Sequence, residues 1–373
     1  MPGKRNITKA DSGTSTFVPP YPPSWFDRFK AWVDRLPGPA WAFYLVLAVA
    51  VVLVETAIQW REGAFPVGTF SRLQVWNVGS FAYLLGLMHF LDKTAASSIA
   101  AFRPLLTIAK SGRRPSVEDQ SRFGELSYRL TTLPSRPALL ATIAGAIAPV
   151  FALLQIRSGT VPTPFAETAL TTLSTASVMA AFIPANALGF LMVYHSVHQL
   201  VQVSRIYTDH ARINVYQLQP LYALSRPGAF TALGAIAFIY TWLSVSAPVV
   251  RSPSPTDIGF YLVFAAIGGA AFVLPLLGAH RRLTAEKEAR LAESTSRFEA
   301  ATIELHNQLD RGRLLQMDHL NKALASLEIE QNALRKIPTW PWQPGAIRAV
   351  VAALLLPVAV WAIQLVVGRL LGA

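Results

Sequence analysis

Apolar residues along this chain gather into runs of about 20 that are separated by polar stretches, and a run of that length predicts a helix able to cross a hydrocarbon layer, since about 1.5 Å of rise per residue covers roughly 30 Å. Such runs fall at about 40–60, 74–94, 137–156, 171–194, 228–250, 257–279 and 346–369. The expected fold is therefore all-α: a polytopic transmembrane bundle of about seven spans, six of them within 40–279 and the seventh in 346–373. Small residues repeat every four positions in the third run (Ala144, Ala148, Ala152) and in the sixth (Ala265, Gly269), a spacing that lets helices approach closely.

Between the runs the pattern changes. Residues 1–23 are polar and rich in Pro, Ser and Thr, with no apolar stretch of the kind a secretory signal carries, and read as a disordered cytoplasmic arm. From 24 to 36, Trp25, Phe26, Phe29, Trp32, Val33 and Leu36 recur at helical spacing, with Asp27, Arg28, Lys30, Asp34 and Arg35 on the opposite side. Ser24 can cap this helix and Pro37-Gly38-Pro39 ends it, so it reads as an interfacial helix anchored by Trp25 and Trp32. The stretch 95–136 reads as a cytoplasmic helical loop, broken at Ser111 to Pro115 and restarted by Ser116 and Asp119 ahead of Phe123, Leu126 and Leu130.

Residues 280–336 are polar with a seven-residue apolar repeat: Leu291, Phe298 and Leu305, then Leu320, Leu327 and Leu334, with a break at Gly312. Two helices folded back on each other satisfy this spacing, giving a cytoplasmic antiparallel hairpin of coiled-coil character between spans 6 and 7. Those six residues are either the hairpin's own seam or a partner surface. Residues 337–345 hold Pro338, Pro341 and Pro344 with Trp340 and Trp342, a stiff elbow whose indoles suit a headgroup layer.

Charge fixes the expected orientation. Only 14% of the 373 residues are charged, and the net charge is +12. Placing the N-terminus inside puts 28 of the 33 Lys and Arg on the cytoplasmic side, leaving Arg61, Arg72, Arg157, Arg251 and Arg369 outside, as the positive-inside rule requires of a plasma (inner) membrane protein with its C-terminus out. The basic residues lie beside the membrane without an interleaved aromatic platform, so the lipid bilayer is the expected partner and nucleic acid is not.

Spans 2, 4 and 6 run from outside to inside, and at their ends sit His89 and Asp92, His195 and His198, and His280. Each of the first two pairs is spaced i, i+3 and shares a helix face. Imidazole and carboxylate suit zinc, iron, a haem axial pair or a proton relay, with His89, His195 and His198 the candidate metal ligands; the plain alternative is polar residues facing water at span ends. Elsewhere Glu55, Asn77, Asn186 and prolines at 149, 184, 275 and 357 interrupt apolar helices, as happens along transport paths and also in ordinary spans. There is no cysteine, which excludes disulfides, thiolate metal sites and cysteine nucleophiles. No Walker A, HExxH, GxSxG or kinase motif occurs. No cofactor is implied by motif. The functional expectation is a non-enzymatic scaffold or regulator that docks a cytoplasmic protein or another subunit through the hairpin. A transporter or channel using the His/Asp cluster, or a metal or haem protein, is the alternative.

Overall fold

The computed structural model describes residues 17–63, 65–70, 72–106, 117–157, 172–211, 215–216, 218–246, 263, 266–312 and 317–370. The N-terminal arm up to residue 16, the break at Ser111 to Ser116 and most of the first half of the sixth run lie outside them. The fold is all-helical, with no strand among the described residues. Its helices are α1 (Trp25–Val33), α2 (Ala40–Arg61), α3 (Arg72–Phe102), α4 (Val117–Thr131), α5 (Ser135–Arg157), α6 (Thr172–Arg205), α7 (Leu218–Ala223), α8 (Ser225–Ser246), α9 (266–273), α10 (Leu277–Asp310), α11 (Met317–Lys336) and α12 (Pro344–Leu370).

Local chemistry sets several boundaries. Ser24 and Asp27 form a reciprocal capping box at the start of α1, satisfying backbone donors that the first turn leaves open. Gly38 and Gly312 adopt φ of 103° and 68°, left-handed values that cost other residues a steric penalty, and each sits where one helix must give way to another. Pro344 opens α12, a position where its missing N–H costs nothing.

α3 is the hub, packing against α2, α4, α6, α7 and α8, while α5 lies along α6 and α12 along α8. α5 and α6 approach closely at Gly145: a Cβ there would stand 2.6 Å from the Asn186 carbonyl oxygen and 2.7 Å from the Ala187 Cα. The packed stripe of α5 thus runs through Gly145 and Pro149, both buried, while Ala144 is exposed and Ala148 half-buried. This corrects the expected stripe by one residue. In α9 it is likewise Gly268, against Ile236, that makes the contact, with open space beside Gly269.

Two helical stretches among the described residues, Ala40–Arg61 and Met179–His210, are long and apolar enough to cross a membrane. The surface of the first is inverted relative to a soluble amphipathic helix. The residues α2 buries fully are Tyr44, Glu55, Thr56 and Gln59, while Leu45, Val46, Val49, Leu53 and Val54 are exposed. α6 buries His195 and Gln199 among apolar residues such as Leu188, Leu191 and Met192, and also exposes Phe190, Val193 and Val197.

At the end of α3 that carries Asp92, here the lower end, the helices run past the apolar runs into a second core. Phe102, Leu130, Tyr207, Leu224, Leu283 and Leu334 belong to it, so both legs of the α10–α11 hairpin are rooted in the body. Lys287 donates to the carbonyls of Arg335 and Ile337, each at 2.8 Å, and Ser294 reaches Glu330 at 3.4 Å, which defines the antiparallel register. Leu291, Phe298, Leu305, Leu320 and Leu327 are half-buried and Leu334 fully buried. Ile303 and Ile329 point away from the seam, Ile329 being 70% exposed.

Candidate functional site

The site lies where α1 docks across the lower ends of α3, α5 and α6. α1 turns its predicted polar side inward at Asp27 and Lys30. Asp27 is held by Ser24, whose Oγ donates to Oδ2 at 2.6 Å, and by the backbone N–H of Leu133 at 3.0 Å. Lys30, one turn on, donates to Asp27 Oδ1 at 3.2 Å, to Asp92 Oδ2 at 2.5 Å and to the Thr131 carbonyl at 3.2 Å. An ammonium has three N–H bonds, so Lys30 is saturated. Burial opposes its charge, but Asp92 and Asp27 together outweigh that and hold its pKa above the ordinary lysine value.

Asp92 is 5% exposed and its second oxygen faces α6. There His195 Nε2 lies at 2.9 Å and Gln199 Nε2 at 3.4 Å. A carboxylate only accepts, so Nε2 of His195 carries the hydrogen, and its buried Nδ1 has no hydrogen-bond partner. Two buried carboxylates thus share the Lys30 ammonium, with the unpartnered Nδ1 of His195 beside them.

His89, one turn above Asp92 on α3, serves a different chain of groups. Its Nδ1 lies 2.9 Å from the Tyr44 hydroxyl of α2, and its Nε2 lies 3.2 Å from Asp34 Oδ1, off the line of a good hydrogen bond. Asp34, 42% exposed, also pairs with Lys93 at 2.8 Å. Burial acts to raise the Asp34 pKa, but Lys93 and His89 outweigh it and hold the carboxyl below its ordinary value.

The structure therefore joins Asp92 and His195 directly and sets His89 and His198 beside them on other partners. His198 Nε2 donates to the Arg129 carbonyl at 2.9 Å. His280 is elsewhere, at the hairpin base, stacked on Trp340 at 4.0 Å between ring centroids with Nδ1 on the Thr339 carbonyl. Trp340 stacks in turn on Trp342 at 4.4 Å, and Trp342 on Phe272, so the elbow's indoles are half-buried in a column of rings. Trp25 donates to Thr142 at 2.9 Å, and Trp32 is about half exposed. Among the described residues no three His, Asp or Glu side chains converge as metal ligands; the nitrogens of His89, His195 and His198 face separate partners.

Sequence reasoning assigned Asp27, Lys30 and Asp34 to a polar surface and missed their part in the site. The available signal was Asp27 and Lys30 at i, i+3 on a helix whose opposite side is almost wholly aromatic. No protein-family model, curated protein or solved structure matches the chain.

Proposed function

We propose that this is a seven-span inner-membrane protein, N-terminus in and C-terminus out, whose hairpin is a rigid cytoplasmic arm that docks a partner protein. The inverted surface of α2 and the exposed apolar side chains of α6 support the embedding: apolar faces outward and polar groups inward suit a lipid solvent, where exposed apolar side chains cost nothing and polar ones need internal partners. α3, α5, α8 and α12 and the sixth run have spanning length, and the basic residues gather at the lower end.

The observation that carries the docking role is how the arm is built. α10 continues to Asp310, about 40 Å beyond the lower core at 1.5 Å per residue, and its legs are fixed by Leu283, Leu334 and the Lys287 clamp rather than by a flexible joint. A rigid lever of that length with isolated apolar side chains on its outer faces presents a surface, and neither of its helices contributes to the buried polar site.

The chain's lack of cysteine makes topology direct to test. Thr69→Cys and Ser97→Cys are exposed positions at opposite ends of the bundle, and the embedding requires an impermeant maleimide to label the first only from outside and the second only from inside. For the arm, a photo-crosslinker at Ile303 or Ile329 should capture a discrete partner in cells, with no adduct from Leu334. Replacing 292–331 by a short turn, which spares the rooted base, should abolish the association. Adducts absent from every outward position would end the docking proposal.

A further inference from the structure

We infer that the outer face of α1 is a docking surface for anionic phospholipid headgroups of the inner leaflet, with Arg28 and Arg35 as the cations that select them. The inference rests on the membrane-embedded body and is independent of the arm.

By sequence, residues 24–36 are nearly neutral, with Asp27 and Asp34 set against Arg28, Lys30 and Arg35. The fold sorts these charges by side. Asp27 and Lys30 turn inward, where Lys30 binds both Asp27 and Asp92. Asp34 pairs with Lys93 at 2.8 Å. Arg28 and Arg35 remain outward and exposed, and among the described residues neither makes an ion pair.

Arg28, Ala31, Trp32 and Arg35 are spaced i, i+3, i+4 and i+7, so they share one helix face, and all four are exposed. The last turn is tight, closed by the Arg35 N–H on the Trp32 carbonyl at 3.0 Å. Residues three apart in such a turn are nearly eclipsed, which sets Arg35 in line with Trp32. The face therefore presents cation, indole, cation over about 10 Å.

The helix lies at headgroup depth. Trp25 donates to Thr142 two turns into α5, and Trp32 meets Phe43 edge-on in the first turn of α2, at 5.5 Å between ring centroids. α1 is thus level with the points where α2 and α5 enter the apolar layer. Anchoring by indoles accepts any lipid. Two guanidiniums without a carboxylate add an attraction for phosphate, which each can meet through parallel N–H donors. A zwitterionic headgroup carries its own ammonium and largely cancels that attraction, whereas an anionic leaflet strengthens binding about fivefold for each basic residue at its surface. A second copy is a poor occupant, since the face would meet its own charge.

The chain has no cysteine, so Ala31→Cys places a single fluorophore on this face. The labelled full chain is reconstituted in phosphatidylcholine vesicles that hold a varied fraction of phosphatidylglycerol, or of phosphatidylcholine, with a nitroxide quencher high on one acyl chain. Half-quenching is expected at a mole fraction at least about tenfold lower for the anionic lipid. Arg28→Gln and Arg35→Gln should each raise that fraction about fivefold, while Arg122→Gln on α4, where Arg122 pairs with Glu118 at 2.8 Å, leaves it unchanged. Salt at about 1 M, with a Debye length near 3 Å, should remove the preference. Unfolding midpoints of the same preparations identify any variant that fails to fold. Equal quenching by the two lipids, indifference to both folded Gln variants, or competition by inorganic phosphate overturns the surface. Self-quenching of the label that grows with protein density, the sign of a second copy on this face, overturns it as well. Failure of the embedding itself shows separately, as labelling of Thr69→Cys and Ser97→Cys from one side.

Discussion

Replacing Lys30 by methionine keeps an unbranched stem of similar reach and removes the ammonium that Asp27 and Asp92 share. The structure sets the size of the effect. Asp92 and Asp27 are 6% and 7% exposed at the side chain, so two carboxylates lose their cation in a setting where water cannot replace it. The Thr131 carbonyl loses a donor as well. Breaking a buried pair by removing one partner costs about 3–5 kcal/mol. His195 still donates to Asp92, and Ser24 and Leu133 still donate to Asp27, which places the expected loss near the lower bound, about 3 kcal/mol. For a protein of this size that lowers the unfolding midpoint by roughly 4 °C. Adding Asp92→Asn removes the stranded charge and should restore about half of the loss, about 1.5 kcal/mol. The control is Lys93→Met. Its pair with Asp34 is 60% and 42% exposed, and such pairs contribute under about 1 kcal/mol. Unfolding in mixed micelles followed by tryptophan fluorescence reports all four proteins. If Lys30→Met is no less stable than Lys93→Met, or if Asp92→Asn brings no recovery, the buried cluster does not bind α1 as described.

Gly145→Ala should destabilise by about 1–3 kcal/mol, since its Cβ meets backbone atoms of α6 that cannot move aside, whereas Gly269→Ala, facing open space, should be silent in the same melt. In the hairpin, Leu334→Ala should cost about 2–5 kcal/mol and Ile329→Ala less than about 0.5 kcal/mol; equal effects would show that the arm is not rooted in the lower core. The raised pKa of Lys30 implies stability that is fully present below the ordinary lysine value of about 10.4 and is lost as pH rises through the higher folded value. The lowered pKa of Asp34 implies the reverse at the acid end: a contribution present above about pH 3.9 and lost as pH falls through the folded value. A stability profile measured between those limits should show neither loss, and Lys30→Met should remove the alkaline one.

Much of the local structure was legible because its causes are local. Ser24 with Asp27 three residues on, the glycine at 312 and the proline at 344 each act on their own backbone, and each stands at a helix boundary. Asp92 and His195 could be assigned to one rim cluster because both fall near the lower ends of helices running the same way. His280 met the same criterion and sits elsewhere, because depth along a helix does not say which neighbour a side chain faces. Trp340 and Trp342 read as headgroup anchors, and their stacking with Phe272 and His280 was not legible beside that, because an indole suits an interface and a ring stack equally well.

By itself, the sequence determined the helical character of the chain, where polar segments interrupt its apolar runs, and the asymmetry of its basic residues. Helical phase was decided by the tertiary structure. A helix that is apolar nearly all round carries no periodic signal of which side is buried, so α5 packs through Gly145 and Pro149 rather than the alanine stripe one residue away, and α2 turns inward its few polar residues. The same holds for α1, whose charged side looks like a solvated face until α3 brings Asp92 within reach of Lys30. A residue 62 positions away along the chain closes that contact, and spacing within α1 contains no trace of it.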